Sequence, residues 1–143
     1  MTSRQNGGFT LIELVVVIAL LGILAAFAIP RFASLESEAR TATVQGMAGS
    51  LRSASTMAHG LFIATGATPV TMEGATINTT NGYPDASDIA NTLADSTGFT
   101  VSVNPGGTET TFSKDGATSN CQAVYTEAPA SGVPAIVVTT TGC

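Results

Sequence analysis

An apolar run near the N-terminus constrains the fold of this chain more than any other feature of its sequence. Residues 9–29 have only Thr10 and Glu13 as polar members. An α-helix rises 1.5 Å per residue, so a helix over this run spans about 30 Å, which is the thickness of the hydrocarbon core of a membrane. The run therefore predicts a helix that resides in a membrane or in a similarly apolar environment.

Three interpretations of this helix are compatible with its flanks. Arg4 precedes the run and Ala26-Phe27-Ala28 fits the small-x-small cleavage pattern, as in a secretory signal peptide. The second interpretation is an ordinary single-pass membrane anchor. The third is a helix that stays in a membrane temporarily and later packs against copies of itself.

Glu13 favours the third interpretation. An acidic side chain inside a lipid-facing helix costs about 2.5–3.5 kcal/mol on insertion scales, and neither a signal peptide nor a plain anchor has a reason to carry one. A cut between Gly8 and Phe9 would place a new ammonium four residues before Glu13. Opposite charges ~4 Å apart attract by about 4 kcal/mol at an effective dielectric constant near 20. If that ammonium belongs to a neighbouring copy, the pair sets the register of self-assembly, because a misaligned arrangement leaves a charge unpaired.

The stretch Gly8-Phe9-Thr10-Leu11-Ile12-Glu13, preceded by a short leader, resembles the processing site of type IV prepilins and related pseudopilins. The resemblance implies that a membrane peptidase cuts between Gly8 and Phe9 and then methylates the new N-terminus at Phe9. It also implies that the Glu13 carboxylate is needed for efficient assembly and methylation. A secretory signal peptide does not account for this motif.

Two residues weaken the predicted helix in its middle. Gly22 lowers helix stability by about 1 kcal/mol relative to alanine, and Pro30 cannot donate a hydrogen bond to the carbonyl of Ala26. Pilins of the similar family carry a glycine and a proline at matching places. We therefore expect residues 22–30 to be helical in the monomer and partly unwound in a fibre. The alternative is a membrane glycine and a tolerated proline kink, both of which are common in such helices.

The remaining sequence predicts an α+β head. A helix is predicted from Phe9 to His59, apolar in its first half and amphipathic in its second half, with Gly60 as a C-cap. Its packed stripe is predicted to contain Phe32, Leu35, Ala39, Ala42, Gly46, Ala54, Ala58 and Leu61. A loop is predicted over residues 60–83 and a short helix over residues 84–94. Alternating patterns predict strands over residues 99–103, 108–113, 121–126 and 135–140. The predicted architecture is a long N-terminal helix on an antiparallel sheet of about four strands.

The two cysteines, Cys121 and Cys143, are an even pair behind an export-type segment, which indicates a disulfide formed in an oxidising compartment. Free or metal-binding thiols are the alternative. The sequence contains no CxxC spacing and one histidine, His59, so it predicts no metal site. The disulfide is expected to contribute about 3 kcal/mol through the unfolded state.

Charge and motif content favour a non-enzymatic protein that binds no nucleic acid. From Leu61 onward one lysine faces seven acids, whereas nucleic-acid binding needs clustered basic residues. No Ser-His-Asp set, paired carboxylates or phosphate-binding loop is present, so we expect no catalytic residues and no cofactor.

The resemblance implies a leader over residues 1–8, a membrane and filament-core helix over residues 9–31, and a pilin head over residues 32–143. The stretches Ala39–Gly46 and Gly82-Tyr83-Pro84 are similar to MSHA-type major pilins. The implied function is a structural subunit of a type IV pilus, held by a single helix in the cytoplasmic membrane before it joins an extracellular fibre. The implied partners are other pilin subunits, a prepilin peptidase that also methylates, and an assembly machinery with an ATPase. The alternative is a pseudopilin that forms the periplasmic piston of a type II secretion system.

Overall fold

The computed structural model describes residues 8–143, except for the side chains of residues 32 and 33. The chain divides into two compact units, Met1–Ser37 and Glu38–Cys143. Helix α1 (Leu11–Thr65) has residues in both units. The predicted leader, with Arg4, lies outside the described residues except for Gly8.

Helix α1 ends later than predicted. Gly60, predicted as its C-cap, lies inside the helix, which continues past His59 to Thr65. The helix continues because Phe62 still packs against a buried apolar cluster. It ends where Gly66 adopts a φ of +64° and donates a backbone hydrogen bond of 2.8 Å to the carbonyl of Phe62.

Two small hairpins follow the helix, where the sequence predicted a loop. Strand β1 (Val70–Met72) pairs with β2 (Ala75–Ile77), and β3 (Thr79–Thr80) pairs with β4 (Tyr83–Pro84). Each hairpin is closed by two residues of positive φ, Glu73-Gly74 in the first and Asn81-Gly82 in the second. This turn geometry matches the twist of paired strands. The prediction of a loop over residues 60–83 was therefore wrong, since this stretch contains the end of α1 and two hairpins.

The short helix predicted over residues 84–94 is reduced to a 3₁₀ turn at Ile89–Thr92. Pro84 instead belongs to β4, opposite Thr79. The Asp88 carboxylate accepts hydrogen bonds from the backbone and side-chain N–H groups of Asn78, at 2.9 and 2.7 Å, and does not cap the turn. These contacts hold the segment against Asn78, which lies between β2 and β3.

The four predicted strands of the main sheet are present. They form an antiparallel sheet in the order β5-β6-β7-β8, with bounds β5 (Phe99–Val103), β6 (Glu109–Lys114), β7 (Gln122–Thr126) and β8 (Ala135–Thr139). The β5–β6 turn is closed by the Asn104 side chain, whose oxygen accepts the N–H groups of Thr108 and Glu109. The α+β prediction, with a helix packed on an antiparallel sheet, is confirmed.

The core of the head lies between the second half of α1 and this sheet. Its buried members are Val44, Met47, Ala48, Leu51, Ala86, Ile89, Phe112, Cys121, Ala123 and Tyr125. The predicted helix stripe is correct at Ala54 and Ala58, which are buried, and at Leu61, which packs on a second apolar cluster. It is wrong nearer the N-terminus, where Leu35, Ala39, Ala42 and Gly46 are exposed, and the side chain of Phe32 lies outside the described residues. The buried face instead follows Val44 and Leu51, the larger apolar side chains on this part of the helix.

Three hydrogen bonds attach residues 84–86, at the end of β4 and just after it, to the main sheet and to Glu127. The Tyr125 hydroxyl donates to the carbonyl of Pro84 at 2.6 Å. The Thr110 hydroxyl donates to the carbonyl of Ala86, and the Ala86 N–H donates to the Glu127 carboxylate at 2.7 Å. The segment is therefore fixed to β6, to β7 and to the residue that follows β7.

Candidate processing and assembly segment

The start of α1 is fixed by two side chains that bind each other's backbone. The N–H and the hydroxyl of Thr10 both donate to Glu13 Oε2, at 2.8 and 2.7 Å. In return, the Glu13 N–H donates to the Thr10 hydroxyl at 3.3 Å. This reciprocal pattern is a capping box, in which Thr10 is the N-cap and Glu13 is the third helical residue. The carboxylate therefore has hydrogen-bond donors in the uncut chain.

The expected cleavage site lies directly outside the helix. Gly8, Phe9 and Thr10 belong to neither a helix nor a strand, and α1 begins at Leu11. The Phe9 side chain is 89% exposed. The bond between Gly8 and Phe9 is thus next to an ordered helix end but is not part of its hydrogen-bonded ladder.

The first half of α1 exposes apolar side chains on all its faces. The exposed residues are Leu11, Ile12, Leu14, Val15, Val16, Val17, Ile18, Leu20, Leu21, Ile23, Leu24, Phe27 and Ile29. An 18-residue window of this helix is apolar enough to cross a membrane, and none of it is buried in the described structure. A helix that is apolar all round needs lipid or other protein around it, because exposed apolar surface of this extent is unfavourable in water.

Gly22 and Pro30 both lie inside α1, so residues 22–30 are helical in the described chain. A Cβ atom added at Gly22 would contact nothing within 4 Å. The described part of the chain therefore gives no packing reason for glycine at this position. Glycine at position 22 is therefore explained by backbone flexibility or by close contact of the helix with another molecule.

The predicted disulfide between Cys121 and Cys143 is confirmed, with 4.8 Å between the two Cα atoms. Cys121 is buried in the core of the head directly before β7. The Gly142 N–H donates to the Asn120 carbonyl at 3.1 Å. The C-terminal residues are therefore attached to the sheet by both a covalent and a backbone contact.

His59, predicted to lie at the end of the helix, is an interior helix residue with packing contacts. Its ring stacks on Tyr83 with 3.9 Å between centroids, and its Nδ1 lies 2.8 Å from the carbonyl oxygen of Gly82. Within residues 8–143, no group of three or more His, Cys, Asp or Glu side chains is placed to hold a metal ion.

Thr10 is a candidate functional residue that the sequence reasoning missed. Thr10 is one of two polar residues in the apolar run, and Thr-x-x-Glu before an apolar segment is the pattern of a capping box. The pattern places Thr10 and Glu13 on one helical turn, three residues apart, so the contact was predictable from the sequence.

The residues around this helix start follow a known sequence pattern. Residues 3–29 match the prokaryotic N-terminal methylation motif. The match includes the expected cleavage position, Glu13 and Gly22, and it ends one residue before Pro30.

Several curated proteins are similar to part of this chain. It is 53% identical over 47 residues to the type IV narrow pilus major component PilA5 of Thermus thermophilus. The matched stretch is 33% of this chain and 40% of that protein. It is 57% identical over 42 residues to the type IV major pilin protein PilA of Myxococcus xanthus, covering 26% and 19% respectively. It is also 46% identical over 46 residues to the type II secretion system core protein G of Pseudomonas aeruginosa, covering 32% of each.

These similarities are partial. The chain matches 40% or less of the length of each of these three relatives. No solved structure matches the chain. The architecture of the head therefore follows from its own strands and core.

Proposed function

We propose that this chain is a structural subunit of a type IV pilus, which polymerises into a surface fibre for adhesion or motility. One observation carries the proposal. The N-terminal methylation motif matches residues 3–29, and the bond expected to be cut lies just before a helix whose apolar side chains are exposed on every face. Such a helix needs first lipid and then protein around it, and a fibre built from many copies provides the protein.

In this proposal a prepilin peptidase removes residues 1–8 by cutting between Gly8 and Phe9, and it then methylates Phe9. Residues 9–31 hold the processed subunit in the cytoplasmic membrane, and the head of residues 32–143 lies outside it. The disulfide between Cys121 and Cys143 supports a location outside the cytoplasm, because disulfides persist in oxidising compartments.

Assembly then exchanges lipid contacts of the helix for contacts between helices. Lipid tails are as apolar as the side chains of residues 14–29, so this exchange has little hydrophobic driving force. The favourable free energy of assembly comes from packing between helices and from the pairing of Glu13 with the ammonium at Phe9 of a neighbouring copy. An ATPase of an assembly machinery is expected to supply the energy of extraction.

Gly22 and Pro30 are proposed to let the helix lose hydrogen bonds in the fibre. Glycine and proline lower the stability of a helix interior more than any other residues. In this chain they flank residues 23–29, which are helical in the described structure. A fibre density map with continuous i to i−4 hydrogen bonds through residues 23–29 would contradict this part of the proposal.

Within the pilins, we propose the MSHA-type major pilins as the subfamily. The supporting residues are the stretches Ala39–Gly46 and Gly82-Tyr83-Pro84. The second stretch has a definite structural role, since Gly82 and Tyr83 both contact the His59 ring.

A type II secretion pseudopilin is the second candidate function. The similarity to the core protein G of Pseudomonas aeruginosa favours it, since that protein belongs to a secretion system. The two functions differ in the phenotype of a deletion strain. Loss of long surface fibres that contain this protein indicates a pilin, and loss of protein secretion without loss of fibres indicates a pseudopilin.

The N-terminus and the mass of protein sheared from the cell surface test the proposal. We expect a chain that begins at Phe9 and carries one additional methyl group. A chain that retains Met1, or begins at Ile29 after a signal-peptide cut, would contradict the proposal.

A further inference from the structure

A groove of about 610 Å³ lies in the second compact unit of the chain, beside the exposed side of α1. Its lining includes Gly49, Ser53 and Met57 from α1, Glu73 from the turn of the first hairpin, and Asp95. We call it the Met57 groove. Among the described residues, no lysine or arginine lines it. The groove is therefore apolar in part and acidic in charge.

No contact within one copy accounts for the helix side of this groove. The Met57 side chain is 62% exposed. A Cβ atom added at Gly49 would meet nothing within 4 Å, so packing inside the copy does not require a glycine there. Small side chains let another helix approach closely, and an exposed thioether adapts to the surface that covers it. The groove is therefore shaped to receive a second molecule.

The two acids of the groove lack a cation in their own copy. Glu73 and Asp95 are exposed, and neither forms an ion pair within the described part of the chain. The Thr97 hydroxyl and N–H both donate to Asp95 Oδ1, at 2.5 and 2.8 Å, and these bonds lower the pKa of Asp95. Asp95 is thus ionised at neutral pH, and the groove favours an occupant that carries positive charge.

Arg31 is the cation that the described residues leave available. Of the four lysine and arginine residues in residues 8–143, three donate to backbone carbonyls of their own copy, at 2.7, 3.4 and 2.8 Å: Arg40, Arg52 and Lys114. The Arg31 side chain is exposed and has no such bond within the same range. Leu35, four residues later on the same helix face, is 57% exposed. This face therefore offers a cation beside an apolar side chain, which complements the groove.

We propose that the Met57 groove of one copy binds the α1 segment around Arg31 and Leu35 of a second copy, with the Arg31 guanidinium paired to Glu73 and Asp95. This inference rests on the proposed function, in which many copies lie side by side in one fibre. It names a contact between subunits in addition to the pairing of Glu13 with an N-terminal ammonium.

Helix length separates the two contacts. Arg31 and Ser53 are about 33 Å apart along α1, at 1.5 Å per residue. Between parallel helices, the groove contact therefore requires a neighbour displaced by about 33 Å along the axis. The pairing of Glu13 with Phe9 requires a displacement of only about one helical turn. The two contacts consequently involve different neighbours and can be tested independently.

Exchange of charges between the two surfaces tests the proposal in cells that produce the full-length chain. We expect Arg31→Glu to lower the yield of sheared fibres about tenfold or more, because like charges then meet at each repeated contact. Arg31→Lys keeps the charge and should stay within about threefold of wild type. Glu73→Arg combined with Asp95→Arg should lower the yield as Arg31→Glu does, and adding Arg31→Glu to that pair should restore fibres. Asp115→Arg, at an exposed acid outside the groove, should not restore fibres to Arg31→Glu.

A second variant tests the shape of the groove without changing its charge. Gly49→Leu fills the groove with a side chain that meets nothing in its own copy, so the head should fold normally while fibres are lost. Gln45→Leu, on the exposed side of the same helix but outside the groove, is the matched control and should keep fibres. The level and the mature mass of the membrane-bound subunit, measured in the same cells, show that each variant folds and is cut.

The outcomes separate this inference from the proposed function. Abundant fibres from Arg31→Glu or from Gly49→Leu would overturn the inference and leave the pilus subunit intact. Restoration by Asp115→Arg would also overturn it, since net charge and not the groove would then govern assembly. Loss of fibres in the groove variants beside normal fibres in Arg31→Glu would show that another occupant fills the groove. A wild-type chain that is absent from surface fibres would overturn both.

Discussion

Tyr125 connects the main sheet to the end of β4 through a single buried side chain. Its ring is fully buried in the core, and its hydroxyl donates to the carbonyl of Pro84 at 2.6 Å. A neutral hydroxyl is required for this contact, because a tyrosinate has no proton to donate. The protonation state of one residue therefore affects the attachment of a whole segment.

This arrangement predicts a loss of stability at high pH. Burial raises the pKa of Tyr125 to about 12, and the charges of Glu127 and Asp85 add to the rise. In the unfolded chain tyrosine releases its proton near pH ~10, so between about pH 10 and 12 the unfolded state binds fewer protons than the folded state. Stability therefore falls as the pH rises through this window, by about 2–3 kcal/mol in total. Denaturant unfolding of the full chain in detergent at several pH values measures this loss.

Tyr125→Phe is the control for that measurement. The variant should be less stable at neutral pH, because the Pro84 carbonyl loses its donor, by about 1–3 kcal/mol. It should also lose the part of the pH dependence that belongs to Tyr125. Equal slopes for Tyr125→Phe and wild type between pH 10 and 12 would show that this residue does not cause the effect.

At the scale of elements, the main sheet could be predicted because each of its strands alternates apolar and polar residues. Phe99 to Val103 is an example, and the turn after it contains Asn104 and two glycines. The hairpins β1–β2 and β3–β4 could not be predicted in this way, since their strands have only two or three residues. Their signal was in the turns, where Asn81-Gly82 is a typical pair for a two-residue hairpin.

The buried face of α1 was less predictable than its existence. Alanine, glycine, serine and threonine make up most of residues 39–60, and such small side chains give a weak hydrophobic periodicity that fits several choices of buried face. Tertiary packing selects the phase that buries Val44 and Leu51 against the sheet. The Thr10–Glu13 contact, in contrast, depends on local sequence alone.

The two hairpin turns predict different costs for the same substitution. Gly74 and Gly82 have similar φ values, +87° and +84°, which disfavour any residue with a Cβ atom. A Cβ at Gly74 would meet nothing within 4 Å, whereas one at Gly82 would lie 2.8 Å from the Phe62 ring and 3.3 Å from His59 Nδ1. We expect Gly74→Ala to cost about 1–2 kcal/mol from backbone strain. We expect Gly82→Ala to cost a further 1–3 kcal/mol, because the Phe62 ring must move.

Thermal unfolding of the two variants, followed by circular dichroism of the full chain in detergent, measures this difference. Gly74→Ala serves as the matched control, since it shares the strain and lacks the collision. Equal stabilities of the two variants would contradict the close approach of Gly82 to the helix.

At the scale of the whole molecule, the disulfide attaches Cys143, four residues after the end of β8, to Cys121 directly before β7. It closes a loop with a sequence separation of 22 residues that includes β7 and β8. Removing such a loop constraint lowers the free energy of unfolding by about 3 kcal/mol. We expect this loss in Cys143→Ala, and also in Cys121→Ala, where a small cavity in the core adds to it. Reduction of the wild-type protein should give the same loss, and an oxidised and a reduced wild type of equal stability would contradict the prediction.

The Glu13 side chain accepts hydrogen bonds in the helix cap, and the same carboxylate is proposed to form an ion pair in the fibre. We expect Glu13→Val to insert into the membrane normally, because the substitution removes the charged residue of the apolar segment. It should nevertheless give few or no fibres, since it removes the capping partner and the charge. Glu13→Gln separates these two effects.

If the charge sets the register of assembly, Glu13→Gln should be processed normally and still fail to form fibres. Electron microscopy of sheared fibres, combined with the mass of the membrane-bound subunit, measures both steps in the same cells. A strain that produces Glu13→Gln subunits with mature mass and abundant normal fibres would contradict the proposed ion pair with Phe9. Hydrogen bonding by a neutral amide would then be sufficient, and the fibre would have to take its register from the packing of the apolar helices.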